Sequence, residues 1–202
     1  MITIVDYGMG NLASIHNMLN RIGEDSIVTG DSEKIKNSEK LILPGVGSFD
    51  AAMLNIKQRN LYDVLEKKAK EDKIPILGIC LGMQLLTSSS EEGKEQGFGW
   101  IEAQTKKFSL TQELKVPHMG WNNVTRSNQD SELIMNLSED SRFYFVHSYF
   151  VEVKDQAHSI LTCRYGIDFD AGIQKDNIFG VQFHPEKSHK FGLSLLKSFT
   201  EI

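Results

Sequence analysis

The first half of the chain alternates short apolar runs with longer segments in which apolar residues recur every three or four positions. A short apolar run is typical of a strand buried on both faces, whereas the longer recurrence is typical of one face of a helix. Leu12, Ile15, Leu19 and Ile22 have the helical spacing, and residues 49–73 carry an apolar face opposite a charged one. The pattern predicts β/α alternation, with strands at residues 2–5, 27–29, 40–43 and 74–79.

The pattern changes from Gly97 onward, where short apolar stretches are separated by turn residues. Such runs at close spacing are typical of antiparallel strands. The strands predicted in this half are residues 105–108, 122–125, 143–146, 149–153, 160–163, 171–174 and 178–183. A final helix is predicted at residues 190–202, where Phe191, Leu195 and Phe199 have helical spacing.

Together the two halves predict an α/β fold in one domain spanning residues 1–202. The expected architecture is a mostly parallel sheet flanked by helices, with an antiparallel β extension. We find no repeat, low-complexity tract or linker in the sequence. Open sheets of this kind bind their ligands at the carboxyl ends of the strands, and both segments singled out below follow strands.

Composition and charge argue against several classes of protein. The chain has 202 residues, of which 40% are hydrophobic and 24% charged, and its net charge is −5. Because no basic cluster stands out, nucleic acid is not expected as a partner. No apolar run is long enough to span a bilayer, and the N-terminus does not have the form of a signal peptide. Two cysteines give no disulfide framework, so a cytoplasmic protein is expected.

Cys80 lies where an apolar run ends and a helix-favouring segment begins. Gly78 and Gly82 flank it, and a sharp strand-to-helix turn needs small neighbours of this kind. Such a turn lifts its central side chain out of the sheet and puts the thiol at a helix N-terminus, which favours a thiolate. A cysteine in a core strand would have no use for two flanking glycines. We therefore predict that Cys80 is a nucleophile.

His184 and Glu186 supply the base that such a nucleophile needs. The strand predicted at residues 178–183 leads to His184, and Pro185 stops it. Glu186 is close enough to hydrogen-bond the imidazole and hold its tautomer, so the sequence predicts a triad with Cys80. A metal site is not expected, because Pro185 prevents helical ligand spacing and no second His/Cys cluster completes a coordination sphere. No cofactor is expected either.

Five motifs carry a resemblance to a known family. They are Gly78-Ile79-Cys80-Leu81-Gly82-Met83-Gln84, Gln182-Phe183-His184-Pro185-Glu186, Pro44-Gly45-Val46-Gly47-Ser48-Phe49, Pro117-His118-Met119-Gly120-Trp121-Asn122 and Phe145-Val146-His147-Ser148-Tyr149. With the first two, the chain resembles the class I, triad-type glutamine amidotransferases. The other three make it similar to the glutaminase subunits of imidazole glycerol phosphate synthases, over essentially the whole chain. The resemblance implies a flavodoxin-like fold and the hydrolysis of glutamine to glutamate and ammonia.

The resemblance also assigns residues around the triad. The oxyanion hole would use backbone donors near Val46, Gly47 and Leu81, because acyl transfer needs donors aimed at the developing negative charge. The contacts to glutamine would come from Gly47, Gln84, Glu92, His147, Ser148 and Tyr149. Gln84 also lies one helical turn beyond Cys80, on the same side of the predicted helix.

The resemblance implies a partner subunit as well. In the resembling family, ammonia passes to a cyclase-type synthase subunit in a heterodimer, by default for histidine biosynthesis. The surface expected near that subunit contains Trp121, Asn122, Tyr144 and Lys187. Residues 186–192 depart from the small, often glycine-bearing sequence expected after the triad. They favour, as an alternative, a paralogous glutaminase that supplies ammonia for amidino-sugar formation in surface polysaccharide synthesis.

A rival hypothesis of another class rests on the turn after the first strand. Gly8, Gly10 and Ala13 fit a G-x-G-x-x-A pattern, and Asp31 lies about where a ribose-binding acid would be expected. These residues would suit a non-catalytic nucleotide-binding α/β module. The pattern is interrupted by bulky Met9 and explains nothing else in the chain, so the glutaminase hypothesis is preferred.

Overall fold

The structure is a computed structural model, and it describes residues 1–109, 114–127 and 130–202. The strands in this part of the chain are β1 (Ile2–Val5), β2 (Ser26–Thr29), β3 (Lys40–Leu43), β4 (Ile76–Ile79), β5 (Ser89–Ser90), β6 (Ala103–Lys107), β7 (His118–Asn123), β8 (Thr125–Arg126), β9 (Arg142–His147), β10 (Tyr149–Val153), β11 (Ser159–Tyr165), β12 (Ile167–Lys175) and β13 (Ile178–Val181).

The helices lie mainly in the first half and at the C-terminus. They are α1 (Leu12–Arg21), α2 (Ser32–Lys36), α3 (Phe49–Gln58), α4 (Tyr62–Lys70), α5 (Leu81–Leu85) and α6 (His189–Glu201). Short 3₁₀ turns are formed by Glu132–Ile134, Gln156–His158 and Pro185–Lys187. None of the helices in the described ranges is both long and apolar enough to cross a membrane.

The centre of the fold is a parallel sheet in the order β2-β1-β3-β4-β13. This is the strand order of flavodoxin-like folds. Every residue of β1, β4 and β13 is buried, which explains why these strands are continuous apolar runs rather than alternating ones. The parallel sheet and its order confirm the predicted fold class.

The sheet continues beyond β13 in antiparallel fashion. Strand β12 pairs with β13, β10 and β11, and β10 then pairs with β6. Strands β7 and β9 form a separate two-stranded antiparallel sheet. The antiparallel extension is therefore confirmed, and the small β7–β9 sheet brings the segments around His118 and His147 together through their direct pairing.

Helices cover both faces of the parallel sheet and divide the core in two. On one face, α1 and α6 contribute Ile15, Leu195 and Phe199 to the same cluster as the strand residues. On the other face, α3, α4 and α5 pack against the sheet through residues such as Met53 and Leu65. Because helices cover both faces, a ligand is expected at the carboxyl ends of the parallel strands. Cys80 and His184 lie at this end of the sheet, after β4 and β13.

The segment 49–73 is helical, as its apolar face indicates, and forms two helices with Asn60 between them in the left-handed region at φ 57°. Two other elements differ from the sequence expectation. Helix α2 was not predicted, because it is only 5 residues long and buries only Ile35. The segment around His118, which precedes the strand predicted at residues 122–125, is the start of β7, where its side chains alternate between the buried and outer faces of the small sheet.

Candidate active site

Cys80 occupies a strained turn between β4 and α5. Its backbone lies at φ 54° and ψ −109°, a region that residues other than glycine rarely adopt. A Cβ atom at Gly82 would lie 1.8 Å from the carbonyl oxygen of Leu43, and one at Gly78 would lie 2.6 Å from the carbonyl oxygen of Gly82. Both glycines are thus required by close backbone approach, as the sequence predicted. Helix α5 has only 5 residues, so its dipole contributes little to stabilising a thiolate.

His184 follows β13 and lies against Glu186. Its Nδ1 donates to Glu186 Oε1 at 2.8 Å, and both side chains are only 2% exposed. Burial by itself disfavours the protonated imidazole, but the interactions with the Cys80 and Glu186 side chains outweigh it, so that the pKa of His184 lies well above its usual value. The other ring nitrogen, Nε2, is buried and has no hydrogen-bond partner within the described ranges. It is available for proton exchange with a group bound beside Cys80.

One cavity of about 430 Å³ connects these residues with the predicted substrate contacts. Cys80 and His184 line it, and Glu186 lies behind His184. The other lining residues are Val46, Gly47, Leu81, Gln84, Glu92, Pro117, Val146, His147, Ser148 and Tyr149. Every residue that the sequence assigned to the oxyanion hole and to glutamine is therefore found around the same space.

Unused backbone donors lie on the Val46 side of the cavity. The loop Pro44–Ser48 follows β3, and in the described chain the N–H groups of Val46, Gly47 and Leu81 form no hydrogen bond. Gly47 has φ 111°, which side-chain-bearing residues seldom adopt. Backbone N–H groups without a partner at the wall of a cavity can bind a negatively charged oxygen.

Gln182 is a site residue that the sequence reasoning missed. It is fully buried, donates to Cys80 Sγ at 3.6 Å, and accepts from Gln84 Nε2 at 3.1 Å. Gln84 in turn donates to the carbonyl of Tyr149 at 3.2 Å. The signal was available, because residues two apart in an extended chain share a face and Gln182 is two residues before His184.

Glu92 is anchored at the start of α3 rather than exposed in a loop. Its carboxylate accepts the Phe49 N–H at 2.9 Å. Asp50 accepts the N–H groups of Lys94 and Glu95, at distances of 2.9 to 3.0 Å, and these hydrogen bonds hold the pKa of Asp50 below its usual range. The two carboxylates fix the loop that presents Glu92 to the cavity.

A hydrogen-bonded relay runs from the cavity to Asn122 along the inner face of β7. His147 Nδ1 donates to the Tyr149 carbonyl at 2.7 Å, and its Nε2 lies 2.9 Å from His118 Nδ1. His118 Nε2 lies 3.3 Å from the side-chain amide of Asn122. Burial lowers the pKa of His118 to about 4 and is the main cause that lowers that of His147 to about 3, so both rings are neutral. Neutral rings give one arrangement: Asn122 donates to His118, His118 to His147, and His147 to Tyr149.

The four residues expected at a partner surface lie around the β7–β9 sheet. Trp121 and Tyr144 are cross-strand partners with their rings 6.3 Å apart, and Lys187 Nζ lies 5.7 Å from the Tyr144 ring. The Trp121 side chain is 43% exposed and its neighbour Met119 is 62% exposed. Exposed large apolar side chains in one small sheet are typical of a protein–protein contact. The fourth residue, Asn122, ends the relay and lies partly buried on the same face of β7 as His118.

The G-x-G pattern in the turn after β1 finds no support as a nucleotide site. The Asp31 carboxylate, expected to bind a ribose, caps α2 by accepting the N–H groups of Glu33 and Lys34. A Cβ at Gly10 would lie 3.2 Å from Pro44 Cβ, so this glycine packs closely against the Pro44–Ser48 loop.

A sharp cysteine turn at a strand end, a buried His–Glu pair and a doubly covered sheet together define a class of glutamine-using enzymes. The sequence matches the family Glutamine amidotransferase class-I over residues 3–201, and the chain belongs to that family. It is 56% identical over 199 residues to imidazole glycerol phosphate synthase subunit HisH 2 of Methanococcus maripaludis, covering 98% of each chain. It is 48% identical over 202 residues to the protein of the same name from Pseudomonas aeruginosa, covering 100% of each.

Among solved structures, the fold is similar to that of PurLQS from Thermotoga maritima. The TM-score is 0.78 at 19% identity, covering 99% of this chain and 97% of the other. At that identity the likeness concerns the fold alone. The sequence identities to the curated relatives are much higher, so the chain is a glutamine amidotransferase of the HisH type. The predicted family and enzyme class are thereby confirmed.

Proposed function

We propose that the chain hydrolyses the side-chain amide of glutamine at Cys80 and delivers the ammonia to a cyclase-type partner subunit. The observation that carries the proposal is the cavity shared by Cys80, His184 and the N–H groups of Val46, Gly47 and Leu81, which have no hydrogen-bond partner among the described residues. A nucleophile, a base and oxyanion donors around one space are what acyl transfer requires.

The geometry supports the following sequence of steps. The Cys80 thiolate attacks the amide carbon, and the resulting oxyanion accepts hydrogen bonds from the loop N–H groups. Protonated His184 then gives its proton to the leaving nitrogen, which departs as ammonia and leaves a glutamyl thioester on Cys80. Neutral His184 next takes a proton from water, whose oxygen attacks the thioester. Glutamate leaves, and the thiolate and protonated imidazole are restored, with Glu186 holding the ring throughout.

The remaining cavity residues would recognise the amino-acid end of glutamine. Glu92 carries the negative charge suited to the α-ammonium group, while Ser148 and Tyr149 would hold the backbone of the substrate. Gln84 and His147, which also line the cavity, would contribute further contacts to glutamine. In this arrangement the charges of the substrate are met by groups that are already oriented in the folded chain, which limits the entropy lost on binding.

The partner we propose is the cyclase subunit of imidazole glycerol phosphate synthase, in a heterodimer that forms on the face containing Trp121, Asn122, Tyr144 and Lys187. The names of the full-length relatives support it, since both are subunits of that synthase. The exposed aromatic and methionine side chains of β7 support the location of the contact. Histidine biosynthesis is then the route that receives the ammonia.

The proposal is tested by measuring ammonia release from glutamine, with and without the cyclase subunit and its nucleotide ligand. Cys80→Ala is expected to reduce the rate to the uncatalysed background, a loss of at least about 10⁴-fold, because the nucleophile is gone. The matched control is Cys163→Ala, which removes the other buried thiol and is expected to retain activity. Undiminished ammonia release by the Cys80 variant would show that the reaction does not take place at this site.

A second acceptor is favoured by one observation in the sequence, the unusual segment 186–192 that follows the triad. In that case the partner would be a synthase of amidino-sugar formation. The same ammonia assay separates the two routes when each type of partner is supplied in turn with its own ligand. Stimulation by the sugar-pathway partner alone would exclude histidine biosynthesis as the acceptor route.

A further inference from the structure

Tyr7 is a fully buried side chain that the proposed reaction does not use. It lies two residues after the end of β1, and its hydroxyl donates a hydrogen bond to the backbone carbonyl of Pro44. Pro44 is the first residue of the loop that carries Val46 and Gly47. Burial, and after it the negative charge of Cys80, raise the pKa of Tyr7 far above its usual value, so the hydroxyl keeps its proton and stays a donor.

The contacts of Gly45 show how tightly this hydroxyl is packed against the loop. A Cβ atom at Gly45 would lie 2.6 Å from the Tyr7 hydroxyl oxygen and 2.7 Å from Leu81 Cβ. Tyr7 and Leu81, the first residue of α5, therefore both pack closely against Gly45 of the loop. Two elements that would each supply an oxyanion donor, the loop and α5, meet at Gly45 beside the Tyr7 hydroxyl.

The loop itself has little to hold its conformation. Glycines at positions 45 and 47 allow wide rotation of the peptides on either side of Val46. In the described part of the chain the Val46 and Gly47 amides form no hydrogen bonds that would fix them. The hydrogen bond to the Pro44 carbonyl thus attaches the start of the loop, while at its other end Ser48 caps α3 by accepting the Ala51 and Ala52 N–H groups.

We propose that Tyr7 is a positioning residue for the oxyanion loop, holding the Pro44 carbonyl so that the Val46 and Gly47 N–H groups face Cys80. The inference rests on the proposed function of this site. Oxyanion donors stabilise the transition state only when they are oriented beforehand, since reorganisation during the reaction would cost what the hydrogen bonds contribute. Tyr7 would therefore contribute to stabilising the oxyanion of the transition state and not to binding glutamine in the ground state.

The test compares Tyr7→Phe with Tyr62→Phe in the complex with the cyclase subunit and its ligand. Tyr62 lies on α4, where its ring stacks on Phe98, and its hydroxyl has no partner in the described residues. We expect Tyr7→Phe to lower kcat by about tenfold to a hundredfold with the KM for glutamine within about twofold, because a loss confined to the transition state appears in kcat. The Tyr62→Phe variant should have the kcat and KM of the wild-type enzyme.

Alkylation of Cys80 by iodoacetamide provides a readout that loop position should not change. Alkylation is a direct displacement by the thiolate and forms no oxyanion, so its rate reports on the reactivity of the nucleophile and not on the oxyanion donors. The expected result is an unchanged rate in Tyr7→Phe, after subtraction of the background measured with Cys80→Ala. A parallel fall in alkylation and in kcat would overturn the inference, because the substitution would then act on the nucleophile and not on the oxyanion donors.

A second variant keeps the inference testable should Tyr7→Phe fail to fold. Met9 supports the same loop from its other side, since a Cβ at Gly47 would lie 2.4 Å from Met9 Cε. Met9→Ala leaves no buried carbonyl unpaired and should lower kcat by about threefold to tenfold with alkylation unchanged. The inference would be overturned if Tyr7→Phe and Met9→Ala, or whichever of the two folds, had the kcat of the wild-type enzyme. Absence of Cys80-dependent ammonia release from the wild-type complex would instead overturn the proposed function, and the inference with it.

Discussion

At the scale of single residues, the most consequential groups are buried side chains whose protonation is controlled by their surroundings. His184 is held in its protonated form by two acidic neighbours, whereas His118 and His147 are held neutral by burial. Residues of one type therefore have opposite charge states within one site. The difference follows from the surroundings of each ring: the Cys80 and Glu186 side chains raise the pKa of His184, whereas burial is the main cause that lowers the pKa of the other two.

The neutral histidines predict how the stability of the isolated chain depends on pH. In the unfolded chain a histidine takes up a proton near pH 6.5, while folded His118 and His147 do so only at about 4 and about 3. The unfolded state thus binds more protons below pH 6.5, and the free energy of unfolding should fall by about 2 kcal/mol per histidine from pH 7 to pH 5. The raised pKa of His184 acts in the opposite direction, and mainly above pH 6.5. Urea unfolding at several pH values measures the dependence.

His118→Gln is the variant that tests this pH dependence. It should remove about half of the loss of stability between pH 7 and pH 5, whatever its effect on stability at neutral pH. His189→Asn, which changes an exposed histidine at the start of α6, serves as the control and should retain the wild-type dependence. An unchanged pH dependence in His118→Gln would mean that this ring titrates normally in the folded chain.

At the scale of elements, the site depends on the ends of strands and helices rather than on their middles. The N-terminus of α3 is the clearest case, because carboxylates of the helix and of the loop that carries Glu92 each accept N–H groups from the other segment. Glu92 accepts the Phe49 N–H, and Asp50 accepts two N–H groups of the loop. A Cβ at Gly93 would lie 2.0 Å from Asp50 Oδ1, so the loop and the helix end fit closely.

Asp50→Ala tests whether this helix end positions Glu92. Without the carboxylate, the loop loses its hydrogen bonds and Glu92 should spend less time in the cavity. We expect the KM for glutamine to rise by about fivefold or more while kcat changes by less than about threefold, as for a loss of ground-state binding. Asp63→Ala, an exposed acid in the first turn of α4, is the matched control. Steady-state kinetics with equal KM values for the two variants would contradict this role of Asp50.

The elements themselves were predicted where their pattern is local and long enough. Strands β1, β3 and β10 have the predicted boundaries, and α6 begins and ends within one residue of its prediction. Helix α2 was missed because one buried residue in 5 gives no periodicity. Strand β7 begins at His118, before the predicted residue 122, because its polar and glycine residues hide the alternation of the small sheet. These errors lie where tertiary pairing, and not local propensity, decides the conformation.

At the scale of the whole molecule, the outer face of the β7–β9 sheet is the surface on which we expect the partner subunit. Trp121 stacks on His189 with ring centroids 5.5 Å apart and lies 5.9 Å from the Arg142 guanidinium. The tryptophan is thus held in one orientation while still exposed, as is typical of side chains that contribute most to an interface.

Trp121→Ala should weaken binding of the cyclase subunit, since a large aromatic side chain leaves the contact. We expect the Kd to rise by about thirtyfold or more, corresponding to about 2 kcal/mol, with the fold of the isolated chain unchanged. Isothermal titration calorimetry measures the Kd. Met135→Ala, which removes an apolar side chain outside β7 that is 60% exposed, is the control and should bind like wild type. Equal affinities for both variants would place the partner on another face.

The sequence by itself determined the features that depend on neighbouring residues. The glycines around Cys80, the apolar runs of the parallel strands and the spacing of His184 and Glu186 can each be read within a few positions. These local patterns were sufficient for the fold class and the family, because a strand-turn-helix and a strand end have strong steric requirements.

Only the tertiary structure revealed the contacts between residues far apart in the chain. The bonds of Gln182 to Cys80, of Tyr7 to Pro44 and of His118 to His147 cross 102, 37 and 29 positions respectively. No periodicity encodes such pairs, since they arise when the strands take their order in the sheets and burial then forces each polar group to find a partner. For the same reason, the sequence indicated Cys80, His184 and Glu186 but not Gln182 or Tyr7, whose contacts with the site come from distant positions.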